Sequence, residues 1–551
     1  MKVKPFHPYI SRTAIVLLLA TVSGCTLLGP DFIEQQPAQL PSSWQQADSE
    51  QSYQQTRLWW TQFNDPMLNQ LVDLAHQQNL SLESAGLKIV QARAALGFSD
   101  GLQYPQSQSV SGAGVLGYQN EADYTSVNLG FDMGWEMDIW GKYARGIESS
   151  EANLYASMAS YDQVMISITA EVVRNYINYR TFQERVFLSQ QNIKIQQRVT
   201  EITQIQFESG DVSELDVQQS KTQLYATLSV LPSLEISQIK ARNALAALLG
   251  MLPEQVEELL QNSEQKLTLD QHEKRIAATT ESNIRAVDNY DSFSIIPSIP
   301  IMSTEINAGL LARRPDIQIA QMQAKAQSAR IGVAEAALYP SFTLFGSIGV
   351  GQTVADGGSY SLSDSVYANV GPAFSWNIFQ YGRLKNQVRV EDALFQASLT
   401  NYNQTVIDAI VEVDNAVEAY QRFNQQSEYS KASVEASVRA FNISMRQYEN
   451  GLVTYQRLLS TVEKMTRNED NYAQIKGNIA GQVVQIYKAL GGGWALDSGQ
   501  SLLNDQIIEQ MTERTDWGDM LSEPIVRESY DKELKQRESD REGDTQSVSD
   551  E

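Results

Sequence analysis

The chain contains very little cysteine, histidine and proline for its length. Its 551 residues include one cysteine, three histidines and fifteen prolines. A single cysteine excludes a disulfide framework and every thiolate-rich zinc or iron–sulfur site, and three scattered histidines cannot build an imidazole metal centre. We therefore expect neither a bound metal nor metalloenzyme chemistry.

Positive charge is also scarce. The chain carries 42 basic and 66 acidic side chains, which gives a formal net charge of −24. A nucleic-acid-binding protein needs a basic face to neutralise phosphates, so nucleic acid is excluded as a partner. Apolar residues still make up 42% of the chain and aromatic residues 9%, which is enough for a packed fold.

The N-terminus has the pattern of a secretory signal. Basic residues precede an apolar run over 14–22, which ends in small residues just before Cys25. This run is too short for a membrane-spanning helix, which needs about 20 residues. We predict a signal peptide over 1–24. The lone cysteine resembles that of a bacterial lipoprotein box, so Cys25 is predicted to carry a covalent lipid; an incidental free thiol is the alternative.

The sequence is internally duplicated. Three motifs, Trp140-Gly141, Phe207-Glu208-Ser209-Gly210 and Leu249-Gly250, recur as Tyr381-Gly382, Tyr448-Glu449-Asn450-Gly451 and Leu490-Gly491, each 241 positions later. A constant offset means that no insertion separates these motifs. The two halves are therefore predicted to contain the same structural unit.

Each half contains two segments in which apolar and polar residues alternate. They cover 107–118 and 127–139 in the first half, and 342–350 and 368–378 in the second. A period of two predicts four strands, arranged as two hairpins. Two-faced strands of this length are typical of outer-membrane barrels, with an ordinary sandwich hairpin as the alternative. The smallest bacterial barrels need about eight strands, so several chains would have to share one barrel.

A long stretch without proline or glycine follows each hairpin. These stretches cover 147–209 and 383–450. As continuous helices they would be roughly 95 to 100 Å long. Their apolar residues form a narrow stripe at helical spacing, which predicts helices packed side by side. Gly210 and Gly451 end the two stretches and predict helical hairpin turns.

Several motifs in a fixed order resemble those of the TolC-like outer-membrane efflux proteins. They are Trp59-Trp60, the segments 311–317 and 329–332, Tyr339-Pro340-Ser341, and 488–494. The lipoprotein branch, which includes OprM-like and NodT proteins, fits best. The resemblance implies a membrane α+β fold: a homotrimer whose twelve-stranded β-barrel, with four strands per chain, is continued by a long α-helical periplasmic barrel.

The resemblance also implies a function. The protein would be a passive exit duct, lipid-anchored in the outer membrane, that receives small molecules or drugs from an inner-membrane transporter and a periplasmic adaptor protein. It would be no enzyme and would need no cofactor beyond the lipid on Cys25. Type I protein secretion, metal export and a lipid-anchored coiled-coil structural role are alternatives. A periplasmic hydrolase is disfavoured, since the sequence contains no GxSxG, HExxH or phosphate-loop motif.

The resemblance places the functional residues at the two hairpin turns. The implied adaptor contacts are Gly210, Asp211, Val212 and Ser213 in the first half, and Gly451, Leu452, Val453 and Thr454 in the second. Family members tend to carry aspartates just beyond such glycines, where three copies constrict the closed entrance. Asp216 fits this pattern, whereas Arg457 and Ser460 stand in the second half. We predict that Asp216 and Arg457 pair between neighbouring helices; a solvated charge is the alternative.

These features predict eight segments. In order they are the signal peptide (1–24), a lipidated segment with the first helices (25–103), the first barrel hairpin (104–140), the first helical repeat (141–250), an equatorial linker and helix (251–338), the second hairpin (339–380), the second helical repeat (381–494) and an acidic, disordered tail (495–551).

Overall fold

Helices make up most of the described residues, which also form one antiparallel sheet at one end of the helices. The computed structural model describes residues 27–34, 56–119, 122–261, 294–302, 311, 313–355, 361, 365–493 and 501–521. The predicted signal peptide and Cys25 lie outside these residues.

Nine helices are described within these ranges. They are α1 (Pro66–Gln78), α2 (Leu80–Gly101), α3 (Lys142–Glu208), α4 (Glu214–Leu249), α5 (Pro253–Gln261), α6 (Pro315–Ala336), α7 (Arg383–Glu449), α8 (Tyr455–Ala489) and α9 (Asp505–Arg514), with short 3-10 turns at Trp59–Phe63 and Gly518–Leu521. Among the described residues, no helix has both the length and the apolar character to cross a membrane.

The two predicted long helices are confirmed. Helices α3 and α7 each contain 67 residues, and each starts after a glycine with positive φ, Gly141 or Gly382. Helix α3 starts earlier than predicted and includes Gly146, because one glycine in a well-packed helix costs only about 1 kcal/mol. The equal lengths support the prediction of a repeated unit.

The four predicted strands form one sheet. They are β1 (Ser107–Gln119), β2 (Ala122–Met137), β3 (Ser341–Ala355) and β4 (Val366–Ser375), paired antiparallel in the order β1-β2-β3-β4. Phe131 pairs with both Val110 and Ile348, so apolar residues share one face. Asp132 pairs with Ser347, and polar residues share the other face. The predicted alternation is confirmed, and the two hairpins join through β2 and β3.

The four longest helices pack in the order α4, α3, α8 and α7. Helix α6 packs against both α3 and α7, and α2 packs against α3. The main hydrophobic core lies where α1, α3, α4 and α8 meet the turn at Trp59–Phe63, and Trp59 and Phe63 are fully buried there. Smaller clusters lie under α2 and near the ends of α3, α7 and α8.

The acidic C-terminal segment is partly folded. Helix α9 and the turn at Gly518–Leu521 pack on α2 and α3, and four apolar side chains are buried there: Leu502, Leu503, Met511 and Leu521. The predicted disorder over 495–551 is therefore wrong for 501–521. The charge-rich composition predicted disorder, but the burial of a few apolar side chains stabilises the folded segment. Residues 522–551 lie outside the described part of the chain.

Candidate functional site: the two helical tips

Both long helices end in the same turn. Gly210 N donates to the Phe207 carbonyl (3.0 Å) and Asp211 N to the Gln206 carbonyl (2.8 Å). Gly451 N and Leu452 N make the corresponding bonds in the second half, at 2.9 and 2.8 Å. These are Schellman motifs, in which a residue with positive φ closes the helix. The two predicted hairpin turns are therefore confirmed.

The glycines are required by their backbone conformation. Gly210 has φ +85° and Gly451 has φ +67°. A Cβ atom at either position would meet nothing within 4 Å, so space is not the constraint. Glycine adopts these angles without the strain that a side chain would cause. Helix termination thus accounts for both glycines without an adaptor contact.

The two tips line one cleft. It has a volume of about 840 Å³ and is bounded by Asp211, Val212 and Ser213 on one side and by residues 451–454 on the other. Gln206, Asp216, residues 448–450 and Tyr455 complete the wall. The fold thus brings together every predicted contact residue except Gly210. Leu452 is 73% exposed and gives the cleft an apolar edge.

The first tip is held by a reciprocal capping box at the start of α4. Asp216 Oδ2 accepts hydrogen bonds from Ser213 N (3.0 Å) and Ser213 Oγ (2.8 Å). Ser213 Oγ in turn accepts from Asp216 N (3.4 Å). This arrangement satisfies backbone donors at the helix start and places a carboxylate near the positive end of the helix dipole.

The second tip lacks this box. The Thr454 side chain makes no capping hydrogen bond, and the position that corresponds to Asp216 is the exposed Arg457. Ser460 is half-buried one turn further along α8. No ion pair joins Asp216 to Arg457 among the described residues, so the predicted pair is not formed within one chain. The Asp216 carboxylate is already engaged by Ser213.

Three residues that sequence reasoning missed support the second tip. Tyr448 Oη lies 2.9 Å from Thr203 Oγ1 on α3, and the Tyr448 and Tyr455 rings meet edge to face at 6.1 Å. Burial raises the pKa of both phenols. The duplicated sequence contained a signal for Tyr448, because this tyrosine stands at the position that Phe207 occupies in the first half. Only the tyrosine can make the bond to Thr203.

The segment Leu27–Glu34 lies at the junction of the sheet and the helices. Leu28 N donates to the Trp140 carbonyl (3.3 Å), just before α3 begins. Arg145 donates to the carbonyls of Leu28 (3.0 Å) and Gly29 (3.2 Å) and to the Asp31 carboxylate (2.7 Å). The chain just after Cys25 is therefore fixed beside the end of β2.

Comparison with known proteins identifies the family. Residues 71–251 and 308–492 match the profile of the outer membrane efflux proteins, which is more than half of the chain. Nodulation protein T of Rhizobium leguminosarum bv. viciae is 27% identical over 88% of this chain and 94% of its own. The pyoverdine export outer membrane protein OpmQ of Pseudomonas putida is 27% identical, over 83% of this chain and 93% of its own. A probable outer membrane lipoprotein, SilC of Salmonella typhimurium, is 24% identical over 86% of this chain and 96% of its own.

Solved structures agree. The outer-membrane channel OprN superimposes with a TM-score of 0.71 at 28% identity, over 85% of this chain and 99% of that chain. The chain belongs to the outer membrane efflux protein family, and its fold is that of the trimeric channels, as predicted. The predicted outer-membrane location is confirmed, as is the prediction that the chain is not an enzyme.

Proposed function

We propose that the protein is the exit duct of a tripartite efflux pump, through which small molecules pass passively to the outside. The observation that carries the proposal is the separation of a two-faced sheet from the paired tips by the length of α3 and α7. At 1.5 Å per residue, the 67 residues of each helix reach about 100 Å. A helical wall of that length suits a conduit from the membrane into the periplasm.

The tips are the proposed contact with a periplasmic adaptor, which in turn connects to an inner-membrane transporter. The cleft between 211–213 and 451–454 is open, and it combines an apolar edge at Leu452 with polar walls. An interface of this kind favours a partner that inserts an apolar side chain between the tips. The relative named for pyoverdine export supports a small exported molecule.

Accumulation of a fluorescent efflux substrate in cells tests this function. A strain that lacks the protein should accumulate the dye, and the full chain should restore its export. Leu452→Asp should abolish restoration while the trimer persists, because a charge would enter the apolar edge of the cleft. Gln510→Asp, on the exposed side of α9, is the matched control. Full restoration by Leu452→Asp would contradict the adaptor contact, and failure of the full chain to restore export would contradict the duct.

The lipid on Cys25 is part of the same proposal. The docked segment Leu27–Glu34 would hold an acylated Cys25 beside the sheet, where acyl chains can enter the inner leaflet of the outer membrane. Intact mass of the mature protein should exceed that of the polypeptide 25–551 by the mass of the lipid, and Cys25→Ser should lose this excess. A mature chain with an unmodified thiol would contradict the assignment.

An ion pair between chains is the proposed gate. Asp216 would contact Arg457 of the partner subunit in the closed trimer, although an exposed pair is worth only about 0 to 1 kcal/mol per copy. Arg457→Ala should raise the resting conductance of the channel in planar bilayers, whereas Arg446→Ala, on the last turn of α7, should not. An unchanged resting conductance of Arg457→Ala would rule out the ionic gate.

A further inference from the structure

A cavity lies between helices α3, α4 and α8 and shares no residue with the cleft at the tips. Its volume is about 290 Å³. Small-molecule sites in proteins begin at roughly 300 Å³, so a small ligand fits. All of the lining residues belong to one chain, and neither the tips nor the proposed duct uses them.

Unpaired polar atoms line the buried side of this cavity. Among the described residues, Ser189 Oγ, Asn192 Oδ1 and Thr466 Oγ1 have no hydrogen-bond partner, and all three residues line the cavity. Ser189 is 8% exposed and Asn192 is 2% exposed. Buried polar atoms are normally hydrogen-bonded, because an unpaired one is unfavourable. These three residues, the polar floor of the cavity, therefore offer hydrogen bonds that the chain itself leaves unused.

The side chain of Asn192 is held in one orientation. Its Nδ2 donates to Glu469 Oε2 at 3.0 Å, and Glu469 is fully buried. This bond leaves Oδ1 of the same amide as an acceptor. The hydroxyls of Ser189 and Thr466 can both donate and accept. The polar floor therefore suits a ligand group that can donate one hydrogen bond and accept another.

The second half forms a hydrogen bond at the corresponding positions. The offset of 241 relates Asn192 to Ser433 and Thr227 to Asn468. Asn468 Nδ2 donates to Ser433 Oγ at 2.9 Å. Thr227 instead donates to the Gln223 carbonyl of its own helix at 3.2 Å, which leaves Asn192 Oδ1 unpaired. The unpaired acceptor is thus a feature of the first half and not a general result of this helix packing.

The charged side chains around the cavity balance one another. Two are basic, Arg185 and Arg467, and two are acidic, Glu463 and Asp470. Arg185 already pairs with Asp470 through two bonds, from Nε to Oδ1 at 2.7 Å and from Nη2 to Oδ2 at 3.0 Å. Burial of a charged group is unfavourable unless it finds an opposite charge. The cavity therefore favours a neutral ligand over an anion or a cation.

Apolar side chains also line the cavity. They are those of Leu188, Val230 and Leu234, and Leu234 is buried. A few convergent polar groups among apolar side chains are typical of small-molecule sites. We propose that this cavity binds a small neutral amphiphile, such as an alcohol or a phenol. Its hydroxyl contacts Ser189 and Asn192, and its apolar part packs on Leu188, Val230 and Leu234.

The ligand would connect the two halves of the chain. Helices α3 and α4 belong to the first half and α8 to the second, and α4 and α8 have few direct contacts. A molecule that touches all three helices adds contacts between the halves in the folded state. Binding should therefore raise the midpoint of thermal unfolding.

Protection of an engineered cysteine tests the site in the full-length, detergent-extracted protein. Ala226 lines the cavity and is exposed, so Ala226→Cys should react with a maleimide. The chain has one native cysteine, and the unmodified protein gives the background. Benzyl alcohol should slow the reaction of Ala226→Cys as its free concentration rises, whereas Gln510→Cys on α9 should keep its rate. Toluene lacks the hydroxyl and should need about tenfold more free ligand for the same protection.

Removal of a hydroxyl from the polar floor gives the matched variant. In the Ala226→Cys background, Ser189→Ala should weaken protection by benzyl alcohol about tenfold and leave protection by toluene unchanged. Because Ser189 Oγ has no partner in the described part of the chain, this substitution should not lower the midpoint of thermal unfolding. Ser430→Ala, at the corresponding position of α7, should change neither quantity.

Other results would overturn the proposal. Equal protection by toluene and benzyl alcohol, or full protection in Ser189→Ala, would show that the polar floor does not recognise the ligand. Stronger protection by benzylammonium or benzoate would contradict a neutral ligand. No protection up to the solubility limit of benzyl alcohol would exclude the site, whatever the chain exports. If Ala226→Cys does not fold, Gln223→Cys reports on the same cavity.

Discussion

Helices α3 and α7 have the same length and the same capped ends, yet they are buried differently. Helix α3 is buried along its length because α2, α4, α6 and α8 surround it within the chain. Helix α7 has α6 and α8 as extensive neighbours, and much of its surface is exposed. Equal backbones with unequal burial indicate that the missing neighbours of the second half are supplied by another chain.

A polar network that joins the two halves also has no counterpart at the positions related by the repeat. Lys476 Nζ lies 2.7 Å from Glu184 Oε1 and donates to Ser294 Oγ at 2.9 Å, and Ser294 Oγ donates to Glu184 Oε2 at 2.6 Å. This network is nearly buried, and it ties the linker between the halves to α3 and α8. Glu235 and Gln425 stand at the corresponding positions and cannot form the same ion pair.

Removal of the buried cation should have the largest effect. Lys476→Met should destabilise the protein by about 3 to 5 kcal/mol per chain, because it leaves the Glu184 carboxylate buried without its partner. Urea unfolding in detergent measures the change. Glu235→Gln, at the exposed counterpart, should stay within about 0.5 kcal/mol. Equal losses of unfolding free energy in the two variants would show that Lys476 stabilises the protein no more than its counterpart Glu235 does.

A pH dependence should arise from His76 in the first half. Burial lowers the pKa of His76 from 6.5 to about 4. The folded chain therefore keeps a neutral imidazole at a pH where the unfolded chain binds a proton, so stability is complete above pH 6.5 and falls as the pH drops towards 4. The loss should reach about 3 kcal/mol at pH 4.

His76→Gln is the matching control for this dependence. Thermal unfolding of the native protein and of His76→Gln at several pH values gives the contribution as a difference. A difference that stays constant from pH 7 to pH 4 would contradict the buried neutral imidazole.

The capping of the two tips should differ by a smaller amount. Ser213→Ala should destabilise the start of α4 by about 1 kcal/mol, since it removes the capping box. Thr454→Ala should change the start of α8 by much less, because the Thr454 side chain makes no cap bond. Hydrogen exchange of residues 214–217 and 455–458 measures the change in stability at the starts of α4 and α8. Equal deprotection of the two helix starts would mean that Thr454 caps in solution.

The smallest expected effect is an increase in the stability of the helix start at the second tip. Gln456→Glu adds an acidic group at the exposed second position of α8 and leaves Arg457 in place, so it should stabilise the helix start by about 0.5 kcal/mol. Slower exchange at residues 455–458 is the expected result. Faster exchange would contradict a favourable interaction between the added carboxylate and the helix dipole.

Much of the fold could be predicted because its patterns are long and regular. Alternation over 127–139 gave β2, and the absence of glycine and proline over 383–450 gave nearly all of α7. Gly210 and Gly451 marked the tips, since few other residues adopt a positive φ at a helix end. Periodicity and backbone preference are properties of the local sequence.

Other features depend on contacts that a sequence pattern does not contain. The folded segment 501–521 depends on a few apolar residues among many charges, and on their fit to α2. The Asp216 carboxylate accepts from the Ser213 backbone, a contact that the repeat pattern did not predict. The bond of Tyr448 to Thr203 joins residues far apart in sequence. Geometry in three dimensions decides each of these.

Native mass spectrometry of the detergent-extracted mature protein tests whether three chains form one channel. The account predicts one species that contains three chains, each carrying a lipid on Cys25. A stable single chain, at concentrations where the membrane-extracted protein is intact, would contradict it, because the sheet edges and the open side of α7 would then have no partner.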